Sequence, residues 1–375
     1  MKSFLKLFVC LAILAGTGMA QTSTDQATEG TDATTSPVAY VYVARPTHID
    51  GFAAASNGKL TPVPGSPFAN IAVNHLSVTP KYLFGSGNNS AIYTFSIGSG
   101  GGIKQVASID TFNYAPEADG AGPIQLDASG STLYNFSMAD DSFLQSYKIE
   151  ENGELEFLSA VESDHTFDVQ EVEPTMIDFI GSNKYSYQTG CDEDQLNPAT
   201  EGFKRESNGE LELVGADDEE PMPPSSAYTY CPFLLATDPT DHVAFVESLW
   251  DIAEGQASAT EQLATYTANS SGKLTTTSTY KNMPAVGLPF TTTLSISPSG
   301  KLLAVGGKGF QIFHFNGADP ITHYSGALQT GVTIQELGWD KANHLYALGG
   351  GELFVYTVTP TSITEAPGSP YSIPE

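Results

Sequence analysis

Short runs in which apolar and polar residues alternate recur along the whole chain. They are of three kinds that follow one another: a first run such as 39–44, a second such as 91–97 after a polar turn, and a third such as 152–158 that starts at Asn-Gly or Ser-Gly. Period-two alternation over a few residues indicates half-buried β-strands. The Asn-Gly and Ser-Gly pairs supply the positive backbone angles that tight hairpin turns need. The pattern therefore predicts antiparallel β-structure, and helical periodicity is absent.

The set of three runs occurs seven times. Its first runs begin at residues 39, 81, 131, 184, 241, 301 and 344. A repeat of this length indicates propeller blades rather than a β-sandwich. A fourth run, expected to form the innermost strand, precedes most sets: it lies at 73–80, 122–130, 174–182, 231–239, 292–300 and 333–341. The predicted fold is all-β, a seven-bladed β-propeller of four-stranded antiparallel blades.

The phrase Pro-Gly-Ser-Pro occurs near both ends of the repeat region, at 64–67 and 367–370. Proline restricts φ and has no N–H to donate, so we expect both copies just past the outermost strand of the first and last blades. The sequence does not settle how the ring closes, because only six innermost strands are found for the seven sets of outer strands. The first blade could have three strands, residues 22–38 could supply the fourth, or the natural C-terminus could be longer. We expect a three-stranded first blade.

The N-terminus has the features of a secretory signal peptide. Lys2 and Lys6 precede an apolar run at 7–14, and Gly18-Met19-Ala20 forms a small-x-small cleavage site. The domains expected are a signal peptide at 1–20, cleaved after Ala20, a disordered polar linker at 21–37 and a propeller at 38–375. No later segment is apolar enough to cross a membrane. The mature protein is expected to be secreted or periplasmic and monomeric.

The charge of the chain excludes one class of partner. Fifteen Lys and Arg residues stand against 43 Asp and Glu residues, for a net charge of −28. Such a surface repels phosphate backbones, so nucleic-acid binding is not expected. The histidines lack metal-ligand spacing, and the acidic segments 191–198 and 216–221 lack the spacing of calcium loops. We therefore expect no metal and no cofactor.

Export permits a disulfide between Cys191 and Cys231. Cys191 follows the first run of the fourth set, and Cys231 opens the next inner run. In a propeller both points lie on the same face, since adjacent antiparallel strands start and end there. We predict the bond, with two free thiols as the alternative.

The unit 39–84, with "YVYVA", "GKLTPVPGSPF" and "NHLSVTPKYLF", resembles the seven-bladed lactonase family of bacterial 6-phosphogluconolactonases and fungal carboxymuconate cyclases. The resemblance implies a propeller and a site in the central channel. The family phrase Pro-Arg-His-Leu-x-x-Ser-Pro is matched by "VNHLSVTP", which makes His75 the catalytic candidate. The other inner runs, aligned on their ends, place Pro123, Met176, Leu234, Thr293 and Gln335 at that position.

Departures from the family pattern weaken the expectation of catalysis. Lactone opening needs a group that activates water and donors for the oxyanion. The aligned inner-strand positions offer one histidine and no other acid or base, so efficient hydrolysis is not expected. Arginine, which suits anionic ligands, occurs only as Arg45 and Arg205. The predicted ligand-binding residues are Arg45, His75, Thr293 and Gln335.

Three hypotheses follow from these observations. The first and favoured one is an exported lactonase-like propeller that binds a small molecule or a partner without efficient catalysis. The second is a lactone hydrolase that works around His75. The third is an interaction protein whose contact face is formed by long loops at 192–230 and 251–262.

Overall fold

The computed structural model describes residues 11–15, 36–69, 72–87, 89–114, 121–137, 143–162, 177–192, 197–214, 223–253 and 256–373. These residues form seven separate antiparallel sheets of four or five strands, each a blade of a β-propeller. The predicted fold class is confirmed. One short 3-10 helix, Thr111–Asn113, accompanies the strands. In the part of the chain that is described, no helix is long and apolar enough to cross a membrane.

Within each blade the strands run from the channel outward in chain order. Blades one and two contain β1 Leu11–Ala15, β2 Ala39–Ala44, β3 His48–Ala54, β4 Leu60–Pro62, β5 Phe68–Ala69, β6 His75–Val78, β7 Tyr82–Ser86, β8 Ala91–Ile97 and β9 Ile103–Asp110. Blades three and four contain β10 Ile124–Leu126, β11 Thr132–Ser137, β12 Phe143–Ile149, β13 Leu155–Glu162, β14 Asp178–Phe179, β15 Tyr185–Asp192, β16 Asn197–Arg205 and β17 Leu211–Leu213.

The remaining three blades follow the same order, except that the second and third strands of blade six run on as one segment. Blades five and six contain β18 Tyr228–Thr237, β19 His242–Asp251, β20 Gln256–Ala268, β21 Leu274–Thr276, β22 Thr293–Ile296, β23 Leu302–Asn316, β24 Asp319–His323 and β25 Leu328–Thr333. Blade seven contains β26 Glu336–Trp339, β27 His344–Gly349, β28 Glu352–Val358, β29 Ile363–Glu365 and β30 Tyr371–Ser372.

A repeated tyrosine contact fixes neighbouring blades to each other. Tyr42 Oη in blade one donates to the carbonyl of Gly101 in blade two at 2.8 Å, and Tyr134 in blade three does the same with Gly209 in blade four at 2.7 Å. Gly101 has φ +81°, and a Cβ there would lie 2.4 Å from the Tyr40 ring. The turn glycines therefore serve the close approach of one blade to the next as well as the hairpin turn.

The two Pro-Gly-Ser-Pro copies occupy equivalent places, as predicted. Ser66 Oγ accepts from the amide of Gly51 at 2.9 Å in blade one, and Ser369 Oγ accepts from the amide of Val355 at 3.0 Å in blade seven. After each copy the chain adds a short fifth strand to its blade, β5 on β3 and β30 on β28. The phrase thus ends the regular outer strands and returns the chain along the sheet.

The expectation of a three-stranded first blade is wrong. The segment Leu11–Ala15 pairs antiparallel with β2, with Leu11 opposite Val43 and Ala15 opposite Ala39. This strand supplies the seventh inner position, so every blade has an inner strand. The physical reason is that an apolar segment can satisfy the open backbone edge of β2 while it buries its side chains against blades two and seven.

The two segments expected to be long loops contain regular strands. Residues 192–230 include β16 and β17, the outer strands of blade four, and residues 251–262 begin the long strand β20. In blade five the hairpin of β19 and β20 continues as far as the pair Asp251 and Gln256. The third hypothesis therefore loses most of the loop surface on which it was based.

Candidate functional site

The central channel has two ends that differ in chemistry. The upper end is defined here as the end where the inner strands begin and the second strands finish, and the lower end is where each inner strand turns into its second strand. All four predicted ligand-binding residues lie at the upper end, in blades six, seven, one and two, which are consecutive around the ring.

Arg45 follows β2 directly at the upper end of blade one. Its side chain is only 1% exposed, and its Nε and Nη2 atoms have no hydrogen-bond partner among the described residues. Its position continues the face of Val41 and Val43, which packs against Leu348 of blade seven. Burying a charged group whose donors lack partners costs several kcal/mol, so Arg45 is not an ordinary surface arginine.

Glu247 holds the place in blade five that Arg45 holds in blade one. By their pairing with the inner strands, Val41 and Val243 occupy equivalent positions in the second strands of their blades. Arg45 and Glu247 each lie four residues further along these strands. Glu247 is fully buried, accepts a hydrogen bond of 2.9 Å from Tyr266 Oη at Oε1, and has no partner for Oε2 in the described structure. Burial raises the pKa of its carboxyl to about 7, although the Tyr266 hydrogen bond partly offsets this.

His75 and Glu336 occupy equivalent positions in the inner strands of blades two and seven. His75 pairs with Ser86 in blade two, and Glu336 pairs with Leu348 in blade seven. Burial lowers the pKa of His75 to about 4 and raises the pKa of Glu336 to about 7. At neutral pH the imidazole is therefore uncharged, and the Glu336 carboxyl can hold or release a proton.

The register corrects the alignment of one predicted residue. Thr293 pairs with Gly306 and shares the level of His75, and it is buried. Gln335 lies one residue above that level and is exposed, so that Glu336 is the true counterpart of His75 in blade seven. The sequence alignment on strand ends was one residue out of register there, since the turn after β26 differs in length from the turn after β6.

Glu247 and Glu336 were missed by sequence reasoning. Each is the one charged residue in its strand phrase, "AFVESLW" and "TIQELGW". Acidic residues are mostly exposed, so a charge inside such a phrase was the signal that could have identified them.

A cavity of about 300 Å³ opens at the lower end. Its lining comes from the turns after the inner strands and includes Phe179, Asp238 and Trp339. Asp238 already accepts from the amides of Thr240 and His242, and the Trp339 indole donates to the carbonyl of Ser295. None of the four predicted residues lines this cavity. Because its polar groups are satisfied within the protein, the upper end is the better candidate for a binding site.

The cysteine prediction gains a neighbouring contact. Thr189 Oγ1 in blade four donates to the carbonyl of Pro232 in blade five at 3.2 Å. Cys191 lies two residues after Thr189, and Cys231 precedes Pro232. The contact brings the two strand segments together at the upper end, and the bond itself stays a prediction.

The described residues contain no group of three or more His, Cys, Asp or Glu side chains arranged to hold a metal ion. No protein-family model matches the chain, and no curated protein matches it.

Solved structures with the same fold do match. A candidate 6-phosphogluconolactonase from Bacteroides fragilis aligns with a TM-score of 0.61 and 13% identity over 100% of this chain and 97% of that one. A candidate 6-phosphogluconolactonase from Bacteroides uniformis aligns with a TM-score of 0.59 and 13% identity over 91% and 94%. A protein from Lactobacillus plantarum has a TM-score of 0.58 and 13% identity over 94% of each chain. At this identity the likeness shows the fold, the seven-bladed propeller of lactonase-like proteins.

Proposed function

We propose that this protein is an exported lactonase-like propeller that binds a small, oxygen-rich ligand, such as a sugar acid or its lactone, at the upper end of the channel. The observation that carries the proposal is the buried guanidinium of Arg45 with two unpartnered nitrogens. Guanidinium nitrogens pair well with a carboxylate or with two neighbouring oxygens. A ligand that supplies those oxygens offsets the cost of burying the charge.

The other groups at this end fit an uncharged or singly charged ligand. Neutral His75 can donate from one ring nitrogen and accept at the other, and Thr293 offers a hydroxyl at the equivalent position of blade six. With a net charge of −28, and with Arg205 committed to Asp127 by an ion pair of 3.0 Å, a phosphorylated sugar is a poor fit. We therefore favour unphosphorylated compounds over the substrate that the name of the Bacteroides proteins suggests.

The test is calorimetric titration of the exported protein with D-gluconate. We expect binding, and we expect Arg45→Met to weaken it by roughly tenfold to a hundredfold, which is the effect of losing a charged hydrogen bond. The matched control is Arg205→Met, the other arginine, which should bind like the original chain. Equal affinity in the Arg45→Met variant would contradict the proposal.

A second candidate function, lactone hydrolysis, is favoured by one observation. Glu247 and Glu336 both have pKa values of about 7, and a carboxyl in that range is suited to proton transfer at neutral pH. The experiment is acid release from δ-gluconolactone in a pH-stat, compared between the original chain, His75→Ala, Glu247→Gln and Glu336→Gln. Turnover that one of these substitutions abolishes would support hydrolysis. Hydrolysis at the buffer rate would leave a binding protein.

Export to the periplasm or the exterior is proposed from the N-terminal sequence alone. The measurement is the mass of the protein recovered outside the cytoplasm, which should begin at Gln21. Recovery of the protein only in the cytoplasm would contradict export.

A further inference from the structure

The inner strand of blade one comes from the apolar N-terminal segment. Leu11–Ala15 pairs with β2 through five successive residue pairs, and it lies between the inner strands of blades seven and two. Without it, the inner edge of β2 would present unpaired backbone groups along Ala39–Ala44, the kind of edge that accepts another strand.

Side chains on both faces of this strand fit their surroundings. Ala12 is 5% exposed and packs in a cluster with Tyr42 and Leu76 toward blade two. Leu11 and Ile13 pack on the other face, against the cluster that contains Val41, Val43 and Tyr346. The inner-strand position beside β2 therefore accepts a strand that has a small residue toward blade two and aliphatic residues toward blade seven.

Blade seven is shaped for the strand at one position. Gly338 lies in the inner strand of blade seven, and a Cβ on it would come within 2.5 Å of Ile13 Cδ1. The corresponding residues of the five other inner strands, by register, are Ser77, Gln125, Asp178, Ala236 and Ser295. Glycine stands only at the position that faces Ile13, so a branched side chain there would crowd the side chains of both Ile13 and Leu11.

We propose that the inner edge of β2 is a strand-acceptor site and that its occupant is the chain's own segment Leu11–Ala15. The same residues form the apolar core of the signal-like N-terminus, and a segment paired inside the ring is inaccessible to an export machinery. Closing the ring and directing export therefore exclude each other. The placement of the strand does not require the proposed ligand. Its consequence rests on the proposed export: the chain must be engaged before blade one closes, and after cleavage at Ala20 the inner edge of β2 is left without this strand.

The first experiment is disulfide trapping in the full chain, expressed without export. Ile13 and Val41 are directly opposite each other, so Ile13→Cys combined with Val41→Cys should cross-link on oxidation. The control is Leu14→Cys combined with Val41→Cys, in which the first side chain points to the opposite face of the strand. Peptide mapping should find the 13–41 link several-fold more often than the 14–41 link. Equal yields would overturn the proposal.

A second measurement leaves the strand sequence intact. Limited thermolysin digestion of the full chain, followed by mass spectrometry, should find the 11–15 segment protected in the original protein. In the Gly338→Val variant this protection should be lost, whereas strands of blades three to five keep theirs. Cleavage within 11–15 at the same rate in both proteins would overturn the proposal, and it would leave the gluconate titration unaffected.

Discussion

Tyr266 Oη donates a hydrogen bond of 2.9 Å to Glu247 Oε1 within blade five, and both side chains are fully buried. The hydrogen bond holds a carboxyl group at the upper end of the channel, where desolvation favours its protonated form. A buried carboxyl with one partnered oxygen is costly to ionise. The pair therefore links the chemistry of the candidate site to the stability of the fold.

The first prediction concerns how the free energy of unfolding changes between mildly acidic and neutral pH. A folded-state pKa of about 7 lies above the unfolded value of 4.5, so between those two values the folded chain binds more protons than the unfolded chain. The free energy of unfolding contributed by Glu247 therefore falls as the pH rises through this window and is constant above it. In Glu247→Gln, urea unfolding measured at pH 5 and pH 8 should show a smaller decrease than in the original protein. Exposed Glu154→Gln is the control and should leave the decrease unchanged.

The opposite sign is expected for Asp127, which links blades three and four. Burial would raise the pKa of its carboxyl, but hydrogen bonds from Ser129, Asn183 and Thr132 and the charge of Arg205 lower the pKa overall. Its contribution to stability is therefore present above the unfolded value of 3.8 and is lost as the pH falls through the lower folded value.

This sign gives a second prediction, on the acid side of the profile. Arg205→Ala removes the ion pair of 3.0 Å to Asp127 Oδ2. Acid unfolding followed by near-ultraviolet circular dichroism should move to higher pH. Lys204→Ala, which loses only exposed ion pairs with Glu206 and Glu212, is the matched control. A shift of the same size in both variants would contradict a special role for the Asp127 pair.

Two aspartates at equivalent turns allow a third prediction. Asp340 accepts from the amide of His344 at 2.8 Å and from Tyr346 Oη at 3.0 Å, and its Oδ2 lies 2.7 Å from His344 Nδ1. The side chains of His344 and Asp340 are 1% and 0% exposed. Asp238 makes a similar set of contacts with His242, whose side chain is 21% exposed.

Removal of the more deeply buried carboxylate should cost more. We expect Asp340→Ala to lower the free energy of unfolding by about 3 kcal/mol or more, since it leaves several buried donors without a partner. Asp238→Ala should cost about 1 kcal/mol, because water can reach the donors it leaves. Urea denaturation of both variants measures the difference. Equal losses would show that burial at these turns does not set the cost.

The sequence predicted the outer strands better than the closure of the ring. Alternation identified β2, β12 and β28, because their side chains have one face against each neighbouring blade. It could not identify Leu11–Ala15, since a run of Leu, Ala and Ile has the composition of a signal peptide as well as of a buried strand. What decides its place is the unpaired edge of β2 together with Gly338 in blade seven, more than three hundred residues away.

The candidate site was predicted in part for a similar reason. His75 and Thr293 could be placed by motif and strand ends, but the burial of Arg45 depends on how blade one packs against blade seven. Glu336 was displaced by one residue because the turn lengths of inner strands vary. Local sequence patterns predict where a strand lies, whereas the burial of a charged side chain on that strand depends on how the neighbouring blade packs against it.

The last prediction concerns Cys191 and Cys231, whose strands meet at the contact of Thr189 with Pro232. The chain has three cysteines, the third being Cys10. If the bond forms, the exported protein, which has lost Cys10 by cleavage after Ala20, should have no reactive thiol when it is denatured without reduction, and two after reduction. Cys191→Ser and Cys231→Ser should each destabilise the protein by about 2–4 kcal/mol, the usual contribution of a bond that closes a long loop. The double variant should lose no more than either single one, since both substitutions remove the same bond. Reductant should lower the melting temperature of the original protein to that of the double variant, whereas two reactive thiols before reduction would establish the alternative of free cysteines in neighbouring blades.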